Sequence, residues 1–481
     1  MDMQRDRQLT DGSADDLQTM QTFHYSQELK RTLKLFASFA VAFSFISITT
    51  GIFTNYSFVL NTAGPLGIWT WPIVGLGQFF VGLVFAELAG KIPLSGYSYQ
   101  WVSRMAGPGW GWFVGWVGVC FLVLVVPAVD SGLAPILASV LGIEPTQSHL
   151  NMIVIGILLI QALLNIYGVR LASSINNIAV FTEAVGIIGL TVLLGILAVI
   201  HHAPIQLLFH PGAEHQGYQL SNFVMASLIG AFTLVGFEAA ANLSEETIHA
   251  SKTVPKAILT SLILSGVFGT LFLIAATLSI PDVALITKSD NPLPAVIEAN
   301  LGSWIGTAFL VLVIISIFAC GLVIMTSGSR LIYAMARDNA FFFSSLFKKI
   351  SPTTGVPVPA TVMLLIIGIL ATLFSNSLTL LVGAASVLPA ILYLITVASY
   401  TWGGHRLPDL THAFSLGRWG RVVAWLAIVW LVVEIGILTI PSEFHKVTLV
   451  AAALLAIGVL FYFGLFRRRI VAGEAGVHPV E

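Results

Sequence analysis

Twelve apolar runs follow one another along this chain, separated by short polar links. They cover residues 33–62, 68–90, 111–141, 149–169, 174–200, 222–247, 257–281, 302–335, 357–375, 378–402, 421–441 and 447–466. Each is close to the ~20 residues that an α-helix needs to cross bilayer hydrocarbon. No water reaches the backbone there, so each run must satisfy its own N–H and C=O groups, and a helix does so. The expected fold is therefore an all-α membrane protein with twelve transmembrane helices. Charged residues make up only 9% of the chain, against about 25% in soluble proteins. The expected organisation is a polar tail at 1–32, one transmembrane domain at 33–466 and a second tail at 467–481. Within the domain, the first five segments lie at 33–200, the next five at 222–402 and the last two at 421–466. The first run begins near Leu33 and is too long for a signal-peptide core, so it is expected to remain as a span.

Basic residues set the orientation. With the amino terminus inside, only Lys288 and Lys446 of the 22 lysines and arginines fall outside. Both termini are then expected in the cytoplasm, in a plasma (inner) membrane. A missed span would scramble this pattern.

Glu183 stands in the middle of the apolar run 175–200. A charged carboxylate at that depth costs roughly 2.5–3.5 kcal/mol on insertion scales. Such a residue faces a water path or a substrate, or it is a protonated acid that bridges helices. Two segments also carry interruptions: Ser47-Ile48-Thr49-Thr50-Gly51-Ile52-Phe53 in the first, and Phe232-Thr233-Leu234-Val235-Gly236-Phe237-Glu238-Ala239 in the sixth. Glycine weakens a helix by roughly 1 kcal/mol relative to alanine, although in membranes it also permits close packing. The two interruptions occupy corresponding positions of two five-segment halves, the pattern that marks a transporter's site. A broken helix offers N–H groups to a carboxylate and C=O groups to an ammonium, which suits an amino acid.

Three motifs carry a family resemblance. The stretch Gly236-Phe237-Glu238-Ala239-Ala240-Ala241-Asn242-Leu243-Ser244-Glu245-Glu246-Thr247, with Val254-Pro255-Lys256, resembles the sixth-span signature of the amino acid–polyamine–organocation (APC) superfamily. Ser327-Gly328-Ser329-Arg330-Leu331-Ile332-Tyr333-Ala334-Met335-Ala336-Arg337-Asp338, with Val356-Pro357-Val358-Pro359, resembles its eighth-span end. Ala86-Glu87-Leu88-Ala89 with Pro93-Leu94-Ser95-Gly96-Tyr97 resembles its second-span end. Within the superfamily the chain looks closest to the amino acid/choline transporter branch.

The resemblance implies a LeuT-type five-plus-five inverted repeat with two extra helices. It implies a substrate site in which Thr49, Thr50, Gly51 and Ile52 serve the substrate carboxylate. Val235, Gly236 and Phe237 would offer carbonyls, and Phe232 would gate the pocket. Many proton-coupled relatives are expected to carry lysine where Glu183 stands, at the place where sodium-coupled relatives hold their ion. A glutamate there can carry a proton, or bind sodium with Ser316. Glu238 matches an acid linked to proton movement in related exchangers; otherwise it caps the second half-helix. Asp130 lies near pocket depth and is a candidate for a substrate ammonium group. Glu87 is expected to make a structural hydrogen bond, and Glu434 a structural or oligomer contact. Arg330 and Arg337 are expected to snorkel or to join an inner gate with Glu245 or Glu246.

The expected function is secondary active import of an amino acid or a GABA-like amine by proton symport. Sodium symport, substrate/product exchange, and a membrane-embedded sensor or enzyme are the alternatives. Cys120 and Cys320 lie in apolar runs and form neither a disulfide framework nor a metal site. No motif calls for a cofactor or a metal, and there is no Walker A sequence or nucleophile elbow. The expected partners are a small amine or amino acid, protons and membrane lipid. No nucleic acid is expected, because Arg467–Arg469 reads as a topology anchor.

Overall fold

A computed structural model describes residue 16 and residues 20–211, 220–289, 291–374, 378–407 and 413–477. Most of the first tail and the short link after residue 374, between the ninth and tenth segments, lie outside these. The protein is an all-α, multi-pass integral membrane protein. Ten helices among the described residues are long and apolar enough to cross a membrane, and two shorter apolar helices, Leu220–Thr233 and Val358–Phe374, accompany them. Among the described residues there is no sheet; Leu33 and Thr247 form an isolated bridge.

The helices follow the apolar segments closely. Segment 2 is Thr70–Lys91, segment 3 Pro108–Leu141, segment 4 Gln147–Tyr167 and segment 5 Val169–Ile200. Segment 7 is Ala250–Leu278, segment 10 Leu378–Gly403 and segment 11 Gly420–Thr439. Segment 8 lies within Pro292–Arg337, which Gly302 divides at φ 75°, so its long helix begins where the sequence placed it. Segment 12 starts as His445–Phe461 and loosens into a π-turn at Tyr462–Phe466. Segment 2 packs along segment 7, and segment 3 along segment 8.

Segments 1 and 6 are broken, as the interruptions suggest, but the first break is not at glycine. It falls on Ser47, at φ 36° and ψ 93°, between helices Leu35–Ile46 and Ile48–Ala63. Ser47 serves both ends: its N–H closes on Phe43 O at 2.9 Å, and its hydroxyl accepts from Thr50 N at 3.3 Å. Capping the second half-helix in this way offsets the strain of a left-handed serine. Gly51 sits inside that second helix for a different reason. A Cβ there would lie 1.6 Å from Thr233 Oγ1, so the glycine lets segment 1 touch segment 6.

Segment 6 runs as Leu220–Ala226 and Leu228–Thr233, opens over 234–238, and resumes as Ala239–Asn242 and a 3₁₀ turn at Ser244–Glu246. Here glycine is the hinge: Gly236 has φ 82°, and a Cβ on it would lie 1.8 Å from the Phe45 ring. Gly236→Ala is expected to cost about 1–3 kcal/mol in backbone strain, plus a similar amount for displacing the ring. A lowered thermal midpoint of the purified protein is the check.

Candidate functional site

Glu183 reaches from segment 5 to the break in segment 1. Its Oε1 accepts from Thr49 N at 3.2 Å, Thr49 Oγ1 at 3.1 Å and Ser47 Oγ at 3.2 Å. Ser316 of segment 8 joins them, 2.7 Å from Thr49 Oγ1 and 3.4 Å from Ser47 Oγ. The group is sealed: Glu183 is 2% exposed. The carboxyl thus caps the amino end of helix Ile48–Ala63, where unpaired N–H groups and the helix dipole favour an anion. Thr50 turns its hydroxyl to Ser47 at 2.6 Å, and Ile52 is fully buried.

Glu238 lies at the other break. Tyr393 of segment 10 donates to Glu238 Oε2 at 2.6 Å and accepts the Gly236 N–H at 2.9 Å. One phenol therefore holds the amide freed by the break and the acid beside it. Phe237 packs with Phe85 and Tyr393, ring centroids 5.6 and 5.2 Å away, which fixes that phenol in place. The Gly236 carbonyl is already taken by Ala239 N at 2.9 Å. Phe232 is buried in the half-helix just before the break, and Val235 is buried within it. Sequence reasoning missed Tyr393, although a lone tyrosine amid apolar neighbours is a signal, since a buried phenol needs a polar partner. Tyr393→Phe strips one hydrogen bond from Glu238 and one from the Gly236 amide. Leaving a buried polar group unsatisfied costs about 1–3 kcal/mol, so turnover is expected to fall about tenfold in initial-rate uptake.

The other acids are held in polar clusters of their own. Asp130 accepts from Gln161 Nε2 of segment 4 at 2.9 Å. Glu87 pairs with Lys91 at 3.1 Å and accepts from Tyr400 Oη at 2.8 Å and Leu416 N at 3.1 Å. Glu434 is buried inside the chain against Gln78 Nε2, at 2.9 and 3.0 Å, not on an outer face.

At one end of the bundle, Arg330 binds Glu246 at 2.8 Å, and Arg337 binds Glu245 through two contacts of 2.9 Å. Both arginines thus pair across to the end of segment 6, not out to the interface. Residues before segment 1 lie across this end. Tyr25 donates to Asp338 at 2.9 Å, Tyr333 donates to Glu28 at 2.7 Å, and Gln27 donates to Glu245 O at 2.9 Å.

A multi-pass helical bundle in which two broken helices meet buried carboxyls is suited to passing a small polar solute through a membrane. Residues 33–462 match the family model described as amino acid permease. The chain belongs to this family, within the APC superfamily, and is a permease-type secondary transporter, not an enzyme. It is 29% identical over 460 residues to the amino-acid permease BAT1 of Arabidopsis thaliana, covering 87% of each chain. The BAT1 homologue of Oryza sativa is 27% identical, over 87% of this chain and 86% of its own. The GABA-specific permease of Saccharomyces cerevisiae is 26% identical, over 91% of this chain and 80% of its own.

Proposed function

We propose that this permease imports an amino acid or a GABA-like amine by proton symport, with Glu183 as the proton carrier. The observation that carries this reading is the hydrogen bond from Thr49 N to Glu183. The amino end of a half-helix is where a substrate carboxylate would bind, and the chain's own carboxylate already occupies it. An ionised Glu183 competes with substrate for the donors of Ser47 and Thr49. A protonated Glu183 gives up its claim as an anion and frees them. Proton and substrate then favour each other's binding, as linkage requires of any coupled pair.

In the proposed cycle, Glu183 takes a proton from outside and substrate settles on Thr49, Thr50, Gly51 and Ile52. Phe232 closes over it, with Val235, Gly236 and Phe237 on the amine side. Segments 1, 2, 6 and 7 rock, and Glu183 releases its proton to the cytoplasm. Glu238 takes part through Tyr393. We read the bundle as twelve spans in a five-plus-five inverted repeat with two extra helices, in a plasma membrane with both termini inside. The pairing of segment 1 with 6, 2 with 7 and 3 with 8 supports that repeat. The likeness to a GABA-specific permease supports placement near the amino acid/choline branch.

One observation favours a second reading. Glu183, Ser47, Thr49 and Ser316 gather oxygens at one point, and oxygen ligands suit hard cations. Sodium symport through this cluster is the runner-up. Uptake of labelled GABA, choline and neutral, basic and acidic amino acids into sodium-free proteoliposomes separates the two. Accumulation that requires an inward proton gradient supports proton symport. Accumulation only with added sodium, or only with internal substrate, overturns it in favour of sodium coupling or exchange.

A further inference from the structure

Asp130 and Gln161 form a buried polar pair where segments 3, 4 and 8 meet. Gly132, two residues after Asp130, faces segment 1: a Cβ on it would lie 2.5 Å from Thr54 Oγ1. An α-helix turns about 200° over two residues, so Asp130 faces the opposite way, toward segments 4 and 8. There Gln161 Nε2 donates to Asp130 Oδ1 at 2.9 Å and to Phe318 O at 3.2 Å. Segment 8 is cut away to admit them, since a Cβ on Gly321 would lie 2.3 Å from Gln161 Nε2 and 2.8 Å from Asp130 Oδ1.

The hydrogen-bond balance of this pair is incomplete. A backbone carbonyl can only accept, so the amide group lying between Phe318 O and Asp130 must be the NH₂. Both of its hydrogens are then used. What remains is Asp130 Oδ2 and Gln161 Oε1, two buried acceptors without a donor. Both residues are 0% exposed. No described lysine or arginine forms an ion pair with Asp130. Two orphan acceptors at this depth are costly, and an unpaired charge is more so.

We propose that Asp130 is a proton-binding site separate from Glu183 and Glu238. A hydrogen on Oδ2 is donated to Gln161 Oε1, closing an acid–amide ring with two hydrogen bonds. One hydrogen satisfies both orphans and removes the charge. The ligand of Asp130 is thus a proton and not the ammonium group of a substrate. The ring ties segments 3 and 4 to segment 8. One turn further along segment 4, Asn165 continues the same seam, donating to Leu322 O at 3.2 Å while Thr326 donates to its side-chain oxygen. Neutral Asp130 is a positioning residue in a fixed wall, against which the broken segments move.

The test is infrared difference spectroscopy of the full-length protein in lipid, wild type against Asp130→Asn, in H₂O and D₂O. Its readout does not depend on which solute is carried, nor on the coupling ion. The expected result is a protonated-carboxyl band, sensitive to deuterium, that is missing from the variant. Asparagine can donate to Gln161 Oε1 and accept from its NH₂, so uptake should keep its KM within about twofold, a small fraction of a lost hydrogen bond. An Asp130→Asn spectrum that loses only ionised carboxylate overturns the proposal. So does a KM raised about tenfold, the loss of ~1.4 kcal/mol of substrate binding. If Asp130→Asn fails to fold, Gln161→Leu replaces it. There the band should move to the higher frequency of an unbonded acid, and an unmoved band overturns the ring.

Discussion

Glu183→Gln is expected to abolish accumulation driven by a proton gradient while leaving substrate binding and exchange in place. One pH unit is worth about 1.4 kcal/mol per proton, so the wild type with one coupled proton can hold about tenfold more substrate inside per unit of inward gradient. The variant should equilibrate to a ratio near one, whatever the gradient. The reason lies in the donor set. Glutamine keeps the shape and neutrality of a protonated glutamate, so it leaves Ser47 and Thr49 free for a substrate carboxylate. It has no proton to release and no anion to return to. Counterflow of labelled substrate should therefore survive, with pH dependence removed from both KM and rate. If Glu183→Gln still concentrates substrate under a pH gradient, the carrier is another group, and Glu238 becomes the next to replace. If it binds no substrate at all, the competition for the Thr49 amide is the wrong account.

Much of this architecture is written in apolar run length, because the bilayer leaves the backbone few choices. The segments at 68–90 and 174–200 return as helices Thr70–Lys91 and Val169–Ile200 with ends shifted by a few residues. Segment 3 is longer than a span requires, and it still forms one helix through Pro127 and Pro135. The breaks were legible as regions but not as atoms. Glycine marked the hinge in segment 6, where Gly236 takes a positive φ. In segment 1 the same residue type marked a close approach to Thr233, while the turn fell on Ser47. Local sequence does not separate these two uses, because the difference lies in a neighbour from another helix.

The site shows the same divide. Glu183 announces itself by cost alone, since an acid amid apolar residues needs an explanation wherever it points. Its partners Ser47 and Thr49 lie more than a hundred residues away, and Tyr393 lies 155 residues from Glu238. No periodicity brings such positions together. Asp130 illustrates the limit further: its depth in segment 3 made it a candidate ligand, but its meeting with Gln161 of segment 4 beside Gly321 of segment 8 is visible only in the fold. Gly132, two residues on, packs closely against Thr54 of segment 1, another contact the sequence does not specify.

Arg330→Met should be among the most damaging changes outside the broken helices. Arg330 is 1% exposed and Glu246 0%, and they meet through two contacts of 2.8 and 3.4 Å. Removing one partner of a buried pair leaves the other charge uncompensated, at about 3–5 kcal/mol. Glu246→Gln should cost a comparable amount, for the mirror reason. The double variant Arg330→Met with Glu246→Leu removes both charges, and buried pairs replaced by packed apolar groups are often neutral or better. Its thermal midpoint should therefore recover most of the loss. Function should not recover with it. These residues join the end of segment 6 to segment 8, and that seam has to part and re-form as segment 6 moves in the proposed cycle. Without the pair, the seam loses the attraction that re-forms it, so a cysteine at Ser329 should become open to an impermeant thiol reagent. Cys120 and Cys320 are buried, which keeps that readout clean. A double variant with restored stability, an accessible residue 329 and impaired accumulation identifies the pair as a gate. Restored stability with normal accumulation identifies it as a structural pair alone.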